Sequence, residues 1–290
     1  MEQNLSSEIK DYANDLKSSS QVLIQRHAMS VANEEYAKIK DHSDFDQLSK
    51  WILDPSLRDP KLSKTGHYQW KEVRPLVNTL KIHTIFVSPM RRTLETAYHT
   101  YKTHPDFERI RFVLLPTVRE SLNTSSDFPS DVDELITEFR EVLPNLDTSL
   151  MEDYDDRKHY FIEDLQPDIR DKIKAELEED EDDPLGSNAF QLFIRESKAI
   201  FPARLESKWN VYDRSVRSKN FIRNYIRINQ VPKDQKVVVL SHWIYFYMHT
   251  GKWEWKCDRS KELSYPSEFK RMKNCEIVPD PSDYSSKEPI

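Results

Sequence analysis

Two arginines, two histidines and one acid follow closely on short apolar runs, and together they suit phosphoryl chemistry. Val22-Leu23-Ile24 is followed by Gln25, Arg26 and His27. Ile85-Phe86-Val87 leads into Ser88-Pro89-Met90 and the Arg91-Arg92 pair. Phe112-Val113-Leu114-Leu115 leads to Arg119-Glu120, and Val237-Val238-Val239-Leu240 to Ser241-His242-Trp243. Guanidinium forks match phosphate oxygens. A neutral imidazole can attack phosphorus, and a carboxylic acid can protonate the departing oxygen. Arg26, His27, Arg92, Glu120 and His242 are therefore the candidates for one crevice.

The backbone cannot supply the usual alternative. Only three glycines occur, Gly66, Gly186 and Gly251, each alone, where average usage would give about 20. Neither a GxxxxGK[ST] phosphate loop nor a GxGxxG dinucleotide turn can be built. Phosphate must be held mostly by side chains.

The elements that would position these residues are legible as periodicity. The four apolar runs are short, rich in β-branched residues and do not alternate with polar ones, as strands buried on both faces do. Between them, Val73, Leu76, Val77 and Leu80 follow helical spacing, as do Phe221, Ile222, Tyr225 and Ile226. Alternating strand and helix predicts an α/β fold: a three-layer α/β/α sandwich with a mainly parallel central sheet. In such sheets ligands bind beyond the carboxyl ends of the strands, where the candidates fall. Residues 1–19 and 281–290 read as tails around a domain at 20–280. Residues 121–205 are polar, lack a clear strand and read as a helical or loop cap insertion between the third and fourth runs. The acidic run 176–183 reads as a solvated, self-repelling segment.

Composition narrows the setting. The chain has 43 basic and 50 acidic residues, a formal charge of −7, which disfavours general binding to nucleic acid or anionic membrane. No apolar stretch approaches a membrane span, the first residues lack a secretory apolar core, and Cys257 and Cys275 make no metal spacing. A cytoplasmic protein with no nucleic-acid or membrane partner is expected.

Taken in order, the motifs resemble the histidine phosphatase superfamily, also called phosphoglycerate mutase-like. Arg26-His27 with Ser30 and Asn33 resembles the family's RHxxSxxN pattern, and Ser88 to Ala97 its SPxxRxxxTA pattern. Asp59 to Gly66 resembles DxxLTxxG with Ser63 for Thr, and Val118-Arg119-Glu120 resembles LRE. Ser241-His242 resembles the late histidine motif, and Asn274-Cys275-Glu276-Ile277 the last strand. The resemblance implies that His27 is the nucleophile and forms a phosphohistidine. Arg26, Arg92 and His242 would hold the phosphoryl oxygens, Asn33 and Ser30 would add hydrogen bonds, and amides of the helix after His27 would face the anion. Glu120 would transfer the proton. No metal or other cofactor is implied, and the partner would be a phosphorylated small molecule or a phosphoprotein.

Departures favour a phosphatase over a mutase. Ala28 replaces the usual glycine, Met29 stands where mutases carry an acidic pattern, and Trp243 follows the second histidine with no further cation. Trp243 would narrow the pocket, stack on a substrate or turn into the core. A phosphoglycerate mutase-like phosphotransferase and an inactive relative acting as a binding module remain as alternatives. Arg91 reads as a surface residue and Arg119 as a surface or salt-bridge residue. Asp127 reads as a turn residue at least as well as a loose match to a Cys-Asp pair. His67, His83, His99 and His249 read as structural.

Overall fold

In the computed structural model, the described residues are 6–154, 157, 160–165, 167–179, 187–200, 205–251, 272–282 and 284. Each apolar run becomes a strand: β1 (Val22–Arg26), β2 (Ile82–Val87), β3 (Arg111–Leu114) and β5 (Lys236–Ser241). A two-residue strand, β4 (Leu146–Asp147), and β6 (Ile277–Pro279) complete a six-stranded sheet of order β4-β3-β2-β5-β1-β6. All pairings are parallel except β1 with β6. The topology is that of an α/β fold with an antiparallel edge.

Strand residues alternate between two cores. Leu23, Ile85, Val87, Phe112 and Leu240 face one side, where α1 (Ser7–Ser18), α4 (Lys64–Val77) and α5 (Arg91–Tyr101) contribute Leu16, Val77 and Leu94. Val22, Ile24, Phe86 and Val239 face the other, against Val211 and Ile222 of α9 (Lys208–Ile228) and Phe246 of α10 (Trp243–Thr250). This is the three-layer arrangement expected, since a sheet apolar on both faces must be covered twice.

Two expectations are corrected. The stretch read as an N-terminal tail contains α1, capped by Ser6, and its Ala13 and Leu16 are buried against the sheet's first core. Ile9, Ala13 and Leu16 repeat at helical spacing, a short apolar stripe within a polar sequence. The 121–205 region, read as lacking a strand, supplies β4 at the sheet edge. It also forms α6 (Val132–Arg140), α7 (Pro167–Glu179) and α8 (Ser187–Ile200), and Leu135, Ile173 and Phe193 of these join the first core. The acidic run begins in α7, but Asp180 to Asp183 lie outside the described residues, as does Cys257. Two short helices, α2 (Val31–Ala37) and α3 (Phe45–Ile52), stand between β1 and α4.

Candidate active site

The carboxyl ends of β1 and β5, with the segments after β2 and β3, open on a cavity of about 500 Å³. Arg26, His27, Ser30, Asn33, Arg92 and Glu120 line it. Six of the seven residues singled out from sequence thus share one wall system. The seventh, His242, is fully buried and lies behind it.

His27 is almost fully buried between cations. Burial, then Arg92, then Arg26 hold its imidazole well below the usual histidine range, so the ring is neutral at physiological pH. Its Nδ1 lies 2.7 Å from the Ala28 carbonyl oxygen, which can only accept. Nδ1 therefore carries the proton and Nε2 the lone pair, the tautomer a nucleophile needs. The loop after it is braced by the Asp59 to Gly66 segment. Ser63 N donates to the Met29 carbonyl and Val31 N to the Lys61 carbonyl. A Cβ at Gly66 would fall on the Met29 carbonyl oxygen, which is why glycine stands there. Asp59 accepts from Arg91 N at 3.0 Å and Ser130 N at 3.1 Å, fixing the start of α5 that carries Arg92.

The amides directly after His27, ahead of α2, are engaged within the protein. Ala28 N donates to Thr96 Oγ1, Met29 N to Gln69 Oε1, and Ser30 N to Asn33 Oδ1. Asn33 N in turn donates to Ser30 Oγ, so these two residues form a capping box on α2 while lining the cavity. Side chains consume the backbone donors, and the cations are left to meet a phosphate.

Arg92 is nearly buried and uses three of its five N–H donors: Nε to His242 Nδ1 (3.3 Å), Nη1 to the Ser126 carbonyl (2.6 Å) and Nη2 to Asp127 Oδ1 (3.2 Å). Two remain for an incoming anion. His242 accepts from Arg92 at Nδ1, so Nε2–H donates to Ser88 Oγ at 2.7 Å. Burial, Arg92 and His27 keep its ring neutral. In this geometry His242 aims Arg92, its ring centroid 5.1 Å from that of His27. Arg26 Nη1 is anchored on the Met272 carbonyl at 2.8 Å. Glu120 accepts from Ser121 N (2.9 Å), Tyr245 N (3.2 Å) and Ile244 N (3.3 Å), docked on the first turn of α10. Trp243 lines the cavity, which settles its direction.

Asp127 belongs to this site as well as to a turn. It closes a capping box with Thr124, lines the cavity and pairs with Arg92. Burial pushes its carboxyl up to about 6, against the pull of Arg92 and with the push of Glu120. Above that pH the carboxylate occupies Arg92 and competes with an anion; below it the competition is relieved. Sulfate, which does not titrate in this range, is expected to bind more tightly as pH falls through about 6. In Asp127→Asn the affinity should be flat there and roughly tenfold higher at pH 7.5, about 1.4 kcal/mol. Calorimetric titration across pH 5 to 8 checks this, and a wild-type affinity independent of pH would refute it. Arg91, read as a surface residue, is mostly covered and pairs with the exposed Glu138. Arg119 is a salt-bridge residue but a buried one, paired with Glu206.

The fold and the site define an α/β protein with a cavity lined in part by two arginines and a histidine. Residues 53–124, about a quarter of the chain, match the family model of the histidine phosphatase superfamily (branch 1). The matched segment contains Arg92 and Glu120 and stops short of His27 and His242. It supports phosphatase-type activity. The crystal structure of the ecdysone phosphate phosphatase from Bombix mori, in complex with tungstate, is 13% identical with a TM-score of 0.47. That alignment covers 88% of this chain and 86% of the other. No curated protein matches the sequence. Among the described residues, no helix is long and apolar enough to cross a membrane.

Proposed function

We propose that this chain is a phosphomonoesterase that works through a phosphohistidine on His27, without a metal. The observation that carries the reading is the neutral His27 ring, its Nε2 lone pair set by the Ala28 carbonyl, between Arg26 and Arg92 on the cavity wall. Nε2 attacks phosphorus, the bond from phosphorus to the ester oxygen breaks, and Glu120 gives that oxygen a proton. Water then attacks the phosphorus on His27, its proton passes to Glu120, inorganic phosphate leaves and the free imidazole returns. The two guanidinium groups neutralise charge that grows on the equatorial oxygens, the part a metal ion plays elsewhere. The substrate is a phosphorylated small molecule or a phosphoprotein, and the cytoplasm is the proposed setting. The polar helices of 121–205 act as a cap, since Ser197 of α8 and Leu205 line the cavity.

The reading is tested by rapid acid-free quench of the enzyme turning over an aryl phosphate in the presence of a chelator. A phosphoryl group, labile to acid and stable to base, should map to the peptide containing His27. Metal-dependent turnover, or a label on another residue, would refute it.

A further inference from the structure

The cavity is two-sided. One end holds Arg26, His27 and Arg92; much of the remaining wall is Tyr36, Phe45, Leu48, Trp51, Ile52 and Trp243. Most of these come from α2 and α3. On α3 the apolar residues Phe45, Leu48, Trp51 and Ile52 recur at i, i+3, i+6 and i+7, the stripe of a helix that covers a core. Yet none of its residues is buried, and Phe45 is 60% exposed. The stripe faces the cavity instead. Trp51 is fixed there by Nε1 donating to the Ala32 carbonyl at 2.9 Å, which ties α3 to the helix that follows the nucleophile.

Charge on the rest of the wall points the same way. Among the described residues, no lysine lines the cavity and its only arginines are Arg26 and Arg92. Both belong to the phosphoryl end. The other ionisable lining groups are the acids Glu120 and Asp127, and neither offers a positive charge. A second phosphate or a carboxylate on the substrate would find no cation and two acids. The lining also carries uncharged polar groups, Ser121, Asn123, Thr124, Ser126 and Ser197, but hydroxyls set against the α2–α3 wall would be desolvated on rings and alkyl groups. About 500 Å³ is ample for a phosphate and a drug-sized apolar body.

We propose that the substrate is a monophosphate ester of a bulky, apolar, uncharged alcohol, seated with its phosphoryl group on Arg26 and Arg92 and its hydrocarbon body on the α2–α3 wall. This rests on the phosphatase reading and names its substrate class. Binding energy from the remote apolar body is what would hold the phosphorus in line with His27.

The experiment uses straight-chain alkyl phosphates, whose leaving groups are alike while their apolar area grows. From ethyl to hexyl phosphate, kcat/KM should rise roughly two- to fourfold per methylene, at least about tenfold in all. Glycerol 2-phosphate, glucose 6-phosphate and ATP should be poor substrates. Phe45→Asn, a neutral polar substitution at an exposed position outside the catalytic set, should lower the hexyl rate about tenfold more than the ethyl rate; Ile52→Asn serves as the second variant. The matching alkyl phosphonates, read by calorimetry, report binding independently of turnover. Equal rates and equal affinities across the series, or a preference for the sugar phosphate or nucleotide, would overturn the substrate class and leave the phosphatase reading standing. If no ester is turned over, the phosphatase reading falls, and phosphonate affinity that rises with chain length still supports the apolar seat while flat affinity removes it.

Discussion

Replacing His27 by alanine is expected to lower kcat for aryl phosphate hydrolysis by roughly 10⁴-fold or more while barely moving the thermal midpoint. The activity loss follows from the role of Nε2: among the described residues, no other imidazole lines the cavity. Hydroxyls line it too, but the carboxylates beside them are committed, Glu120 to three backbone N–H groups and Asp127 to Arg92. The small effect on stability follows from the same geometry. A buried imidazole normally contributes packing, but this one is held where burial and two guanidinium groups disfavour its charged form. Its removal takes away one bond to a neighbouring carbonyl and nothing that spans the fold. Function and stability pull apart at sites arranged for chemistry. Steady-state kinetics and thermal unfolding on the same preparation check the contrast. Residual activity within tenfold of wild type, in a variant as stable as the parent, would sink the covalent route.

The reach of the sequence can be judged residue by residue. Arg26, His27, Arg92 and Glu120 were legible because each stands at a fixed offset from an apolar run, and a buried strand ends where its apolar run ends. The capping box of Ser30 and Asn33 has a local signature, but its consequence, that the amides after His27 are already spent, does not. That depends on Thr96 and Gln69, acceptors that lie 68 and 40 residues from their donors Ala28 and Met29. Spacing alone shows the apolar stripe of α3, yet spacing cannot tell a helix that covers core from one that walls a cavity; only the exposure of Phe45 does. The glycine scarcity was informative in one direction. It excluded backbone cradles, and the single close backbone approach at the site keeps its glycine at position 66.

The least legible part carries the second large effect. Glu206, Arg119 and Arg214 are at most 3% exposed, and sequence offers no reason to bury three charges. Glu206 accepts from Arg119 at 2.7 and 3.2 Å, from Arg214 at 2.8 and 2.9 Å, and from Leu122 N at 2.6 Å. Asp164, from the 121–205 region, joins both arginines. The arginines also donate to the backbone that carries Glu120. Arg119 Nη1 and Arg214 Nη2 reach the Glu120 carbonyl at 2.8 and 3.3 Å, and Arg214 Nη1 reaches the carbonyls of Thr117 and Arg119 at 3.0 and 2.9 Å. Removing the central carboxylate leaves two guanidinium groups buried beside a single acid, a change that costs about 3–5 kcal/mol. Glu206→Ala is therefore expected to lose most of the stability of an ordinary domain. Glu206→Gln keeps the shape but not the charge. It should unfold at lower denaturant and, where still folded, lower kcat roughly ten- to a hundredfold with little change in KM, because the Glu120 loop shifts while Arg26 and Arg92 still hold phosphate. Replacing Arg119, Glu206 and Arg214 together by Met, Leu and Met removes the charges with their partners, and should recover stability relative to Glu206→Ala without recovering kcat. Urea unfolding and steady-state kinetics on the three variants separate the outcomes. A Glu206→Gln protein with wild-type kcat would show that the buried ions hold the fold alone, whereas a triple variant that regains kcat would show that Glu120 needs no ionic frame.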